Sequence, residues 1–77
     1  MSGGELGIYR LKSVEPLVYG VCLYVIGEEG MAAGAAEQAL VELHGDSRLW
    51  ALPPADRDKR VRQVSVAAAI RTLRGRM

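Results

Sequence analysis

The stretch SVEPLVYGVCLYVI, residues 13–26, decides how the chain folds. Val14, Val18, Val21, Cys22 and Val25 recur at the 3.6-residue spacing of one helix face. The same residues are rich in Val, Ile and Tyr, the composition of a buried strand. The segment is longer than most strands, whose usual length is about 5–6 residues, and this favours a helix. Ser13 is placed to cap its start, with Pro16 in the first turn, where backbone donors lack partners in any case. The apolar run from Leu17 to Ile26 contains Gly20 and stops after ten residues. A bilayer span needs about 20, so the run reads as a core element.

Downstream, Gly27-Glu28-Glu29-Gly30 breaks the pattern. Residues 31–44 are alanine-rich and proline-free, and they form a second helix candidate. Ala32, Ala36, Ala39, Leu40 and Leu43 share one side, while Glu37, Gln38 and Glu42 lie mostly elsewhere. Gly45 stands where a left-handed cap is expected. Gly34 costs about 1 kcal/mol against alanine unless close packing requires it.

Residues 46–55 are the longest irregular stretch, with Asp46 or Ser47 capping a short turn through Leu49 and Trp50. Leu52 and Pro53, each followed by proline, should be extended, and Pro54 suits the first turn of a third helix over about residues 55–74. In that helix Val66, Ile70 and Leu73 form one apolar stripe, and Val61, Val64 and Ala68 form another. A helix apolar on two sides is expected to lie between neighbours. Arg60, Arg71 and Arg74 project in similar directions, because eleven residues is close to three turns. Upstream, residues 1–7 carry three glycines and read as a flexible N-terminus, pinned by Leu6 and Ile8. The expectation is an all-α bundle of three main helices, with one domain over residues 8–77.

A chain of 77 residues, 49% of them apolar, accommodates one small core and no separate cofactor domain. A domain of this size buries only about 60% of its unfolded surface, so its stability margin is narrow. Cys22 is the only cysteine, which excludes a disulfide scaffold. Glu5 and Glu15 interrupt any signal-like start, so a soluble cytoplasmic protein is expected. The net charge of +1 hides an asymmetry. Residues 1–52 hold three basic and seven acidic groups, net −4, and residues 53–77 hold seven basic and two acidic groups, net +5. Such a split marks either a polyanion-binding end or a solvated helix face.

No catalytic constellation is visible. His44 is the only histidine and lies far from Cys22, so metal-ligand spacing is absent. It reads as a residue finishing a helix at its negative end. Cys22 reads as a buried inert thiol. The glycines of GEEGMAAG lack both the preceding strand and the lysine of a phosphate loop. Trp50 either covers the core or offers a stacking surface. No enzyme, metal or cofactor is expected.

Taken in order, the pieces are LVYGVCLYVIG, an acidic break, an alanine-rich helix ending in L-x-x-L-H, a loop with RLWALPP, and the basic helix VRQVSVAAAIRTLRGR. This order and spacing resembles region 2 of bacterial sigma factors, especially the extracytoplasmic-function type, over about residues 8–76. Gly27, Ala32, Leu40 and Leu43 fall on the family's glycine, alanine, aromatic and leucine. Val64, Ile70, Leu73, Arg74 and Arg76 fall on positions of its last helix. Departures are His44 for the usual tryptophan, Ala32-Ala33-Gly34 for an acidic motif, Glu37-Gln38 for a Gln-Glu pair, and Ala67 and Arg71 for an asparagine and an aspartate.

The resemblance implies a helical domain that docks on the beta-prime subunit of RNA polymerase core and engages the promoter −10 element. Glu37, Gln38 and Glu42 map to the polymerase-facing helix, Trp50 to the base-capturing loop, and Arg60, Arg62, Arg71 and Arg74 to the DNA-facing helix. The implied role is that of a stand-alone region 2-like transcription protein, with a separate sigma-like partner supplying the second DNA-binding domain. The alternative is a helical protein–protein module, self-dimerising or covering a partner's surface, without DNA binding.

Overall fold

The computed structural model describes the backbone of residues 3–75 and the side chains of residues 12–75. Three α-helices, α1 (Gly3–Ile26), α2 (Glu29–His44) and α3 (Pro54–Gly75), pack pairwise, with a 3-10 turn at Leu49–Ala51 between α2 and α3. Among the described residues there is no strand, so the ambiguity of residues 17–26 resolves as helix.

Ser13 does not cap α1. The helix already runs from Gly3, because residues 5–12 contain no proline and carry several good helix formers (Glu5, Leu6, Arg10, Leu11 and Lys12) that outweigh Gly7. Pro16 therefore lies in the helix interior rather than in its first turn. There it lacks the donor that would reach the Lys12 carbonyl, and its exposed ring stands in solvent. Val14 and Val18, buried on either side of it, hold α1 against the other helices and offset that loss. The pinning roles expected of Leu6 and Ile8 fall outside the described side chains.

Gly27 ends α1 at φ +79°, a left-handed conformation that costs an L side chain about 1–2 kcal/mol. Its N–H donates to the Leu23 carbonyl at 2.7 Å. Two residues before the expected start at Met31, α2 begins because Glu28 caps it. The Glu28 carboxylate accepts from the N–H groups of Gly30 (2.8 Å) and Met31 (2.7 Å), two of the donors that a helix start leaves unpaired. At the other end, Gly45 is right-handed (φ −80°), not the left-handed cap expected. The chain turns instead on Asp46, whose N–H reaches the Leu43 carbonyl and whose Oδ1 accepts from the Arg48 N–H at 3.1 Å.

The core is built from small residues. Ala32, Ala35, Ala36 and Ala39 of α2 and Ala68 and Ala69 of α3 are buried, around Val14, Val18, Cys22, Leu43 and Val61. Small side chains let the helices approach closely, and Leu49 of the 3-10 turn is fully buried beneath them. Among the described residues Ser65 is the buried polar one, and its hydroxyl donates to the Val61 carbonyl one turn back at 2.7 Å. The Cys22 thiol reaches the Ser65 carbonyl at 3.6 Å.

α3 starts on the Pro53 carbonyl, which accepts from the Arg57 N–H at 2.9 Å, with Pro54 as its first residue. Its two apolar stripes part company. Val61 and Ala68 enter the core with Val64 against it, whereas Val66 and Ile70 are exposed and Leu73 is half-buried. α1 and α2 cover the first stripe, and Val66 of the second borders a hollow with Leu17, Val21 and Tyr24 of α1. α3 is thus not enclosed on two sides as its sequence pattern implied.

Candidate interaction site

The residues expected at two separate surfaces meet along the seam between α2 and α3. Arg71 donates through Nη2 to Oε1 of Glu42, and Arg60 donates through Nε to Oδ2 of Asp46 at 3.3 Å. Arg60 and Arg71 do share a direction on α3, but it points toward the C-terminal end of α2 and the loop beyond it. Arg60, Arg71 and Arg74 are all exposed, as expected of a shared outer direction, but they are not all free. Two of the three guanidinium groups are held by carboxylates, and among the described residues Arg74 makes no ion pair. Helix periodicity could align the arginines. Only the packing of α2 on α3 brought Glu42 and Asp46 beside them. Both pairs are half-exposed, so each contributes only about 0–1 kcal/mol to stability.

Glu37 and Gln38 remain exposed on α2. Glu37 and Val41 form a crest between two concavities. On the α3 side is a hollow of about 610 Å³, with Gly34, Gln38, Glu42 and Arg71. On the α1 side is a groove of about 650 Å³, with Glu15, Tyr19, Ala33, Ala36, Leu40 and His44. Val41 is 69% exposed, an unusual placement for a valine on a packed helix. The sequence reading left Val41 and Tyr19 out of the functional set. Val41 was findable, because it lies nearly opposite the buried alanine stripe at 100° per residue.

Trp50 lies at the edge of the core. It is half-buried against it, and the Arg57 guanidinium lies 5.6 Å from its ring centroid. Arg57 was absent from the expected set, and no local signal pairs a loop tryptophan with an arginine seven residues on. Arg62 sits on the outer side of α3 with Asp58, Lys59, Gln63 and Val66, apart from the seam.

Burial raises the pKa of the Cys22 thiol, which keeps it protonated and unreactive. His44 lies at the end of α2, exposed, on the groove. Among the described residues no group of three or more His, Cys, Asp or Glu side chains is placed to hold a metal ion, and no helix is long and apolar enough to cross a membrane. The arrangement offers apolar contact area flanked by carboxylates on one side and by cations on another. No family model, no curated protein and no solved structure matches this chain.

Proposed function

We propose that the chain is a transcription module, similar to sigma region 2, that docks on RNA polymerase core through the outer crest of α2. The observation that carries this reading is the exposed Glu37-Gln38-Val41 crest between two hollows. It stands where the resemblance puts the polymerase-facing helix. Small residues at 32–34 replace an acidic motif there, so the contact is more apolar than the family pattern and centres on Val41. Glu42 belongs to the seam with Arg71 and contributes less. The setting is the cytoplasm, where polymerase is found. The test is retention on immobilised polymerase core. Wild type binds, and Val41→Asp with Glu37→Lys, both exposed positions, binds at least about tenfold more weakly, since a tenfold loss needs only 1.4 kcal/mol. Failure of the wild type to bind core refutes the proposal.

DNA contact is the second part of the reading, and it rests on fewer groups than the sequence suggests. Arg62 and Arg74 are unpaired among the described residues, while Arg60 and Arg71 would exchange a carboxylate for a phosphate. Two phosphate contacts give a salt slope of about −2 in log K against log salt, and four give about −4. A measured slope near zero removes DNA from the reading and leaves a protein–protein module.

A further inference from the structure

We infer that the chain self-associates head to tail, the outer face of α3 in one copy seating on the α1/α2 groove of the next. Four of the five exposed large hydrophobic residues fall on these two faces, and each pair is flanked by charges of opposite sign. In the groove, Tyr19 and Val41 lie with Leu40 between Glu15 and Glu37. On α3, Val66 and Ile70 are one turn apart, Val66 also bordering a hollow with Leu17, Val21 and Tyr24 of α1, with Lys59 and Arg62 beside Val66 and Arg74 one turn beyond Ile70. Asp58 is the one carboxylate at that hollow, and the face keeps a positive balance.

The two faces are different surfaces of one small domain, and paired head to tail they make a heterologous contact. Each copy that donates its α3 still has a free groove, and assembly continues until it closes into a ring or runs on. The contact runs with the separation of charge along the chain: the groove's Glu15 and Glu37 belong to the acidic residues 1–52, and Lys59, Arg62 and Arg74 to the basic residues 53–77. One part of the chain builds the groove and the other builds what fills it. Because flanking charges set orientation and partner choice more than raw affinity, the groove's carboxylates select a second copy, which competes with polymerase core for Glu37 and Val41.

The test is sedimentation of the full chain against concentration and salt, with two charge-reversed variants. In the first, Glu15→Lys and Glu37→Lys make the groove cationic. In the second, Lys59→Glu and Arg62→Glu make the α3 face acidic. All four positions are exposed, and circular dichroism checks that both variants keep their helicity. Wild type should associate at low salt and dissociate as salt is raised. Each variant alone should be monomeric, its affinity lowered at least about tenfold, because like charges then face each other. An equimolar mixture should associate again, since each reversed face meets the opposite charge on the other variant. A wild type that stays monomeric at low salt up to about 1 mM overturns the proposal. So does a variant that associates as strongly as wild type, or a mixture that stays monomeric.

Discussion

Replacing Gly20 and Gly34 with alanine, singly and together, tests whether these glycines serve the interior of the bundle. Both lie inside helices, on exposed sides of α1 and α2. A methyl group built on either meets no atom within 4 Å, and neither has a positive φ. The substitution thus adds no clash and no strain, and it removes backbone freedom from the unfolded chain. Each is expected to stabilise the fold by about 0.5–1 kcal/mol. The two sites are on different helices with no shared partner, so the double variant should gain about 1–2 kcal/mol. In a domain of this size 1 kcal/mol moves the midpoint by about 4–8 °C, so each variant should melt about 2–8 °C higher and the double about 4–16 °C higher. The assay is thermal unfolding followed by circular dichroism at 222 nm~, the helix band, with urea titration as a check. A lowered or unchanged midpoint in either single variant would refute the reasoning, since it would mean that a neighbour fills space shown here as open. Gly34→Ala carries a second readout. The residue borders the hollow beside Glu37 and Gln38, so a gain in stability accompanied by weaker polymerase retention would show that its smallness serves a partner.

Three further outcomes follow from the same structure. Leu49→Ala, which empties a fully buried position under the 3-10 turn, should destabilise by about 2–5 kcal/mol, a large share of the about 4–12 kcal/mol typical of such a chain, read as a lowered urea midpoint. Burial raises the Cys22 pKa above its ordinary 9.0, so the unfolded chain loses that proton first. Stability should then be full below that value and fall as pH rises past it, and Cys22→Ala should flatten this fall in denaturation curves taken over about pH 7–10. Glu42→Gln with Asp46→Asn should free Arg71 and Arg60 and raise affinity for a DNA duplex at low salt by about tenfold, whereas neutralising Glu15 and Glu29, with the same change in net charge, should raise it less.

Much of the fold is visible in local pattern. The Val14, Val18, Cys22 spacing marks the buried face of α1, and the alanine stripe marks that of α2. Gly27 and Pro54 mark where α1 stops and α3 starts. The helix starts were harder to read. Serine is a common cap, yet Ser13 lies mid-helix, while glutamate is a less common one and Glu28 caps α2 with two hydrogen bonds. Capping is decided by which backbone donors are left open, and that depends on where the helix is already running. The candidate surface was legible in part. Glu37 and Gln38 are exposed as their positions off the alanine stripe imply, but Glu42 and Arg71, assigned to different partners, turned out to hold each other.

By itself, the sequence determined that this is a helical chain with small-residue contact faces, a break at Gly27 and opposite charge in its two parts. These properties depend on neighbours three or four residues away, and periodicity reports them. Only the tertiary structure decided which carboxylates the α3 arginines would meet, that Trp50 would pack beneath Arg57, and that Val41, Val66 and Ile70 would be left uncovered. Those outcomes depend on how three helices are rotated and offset against one another. That geometry is set jointly by all the side chains at the contact faces and is written in no single segment.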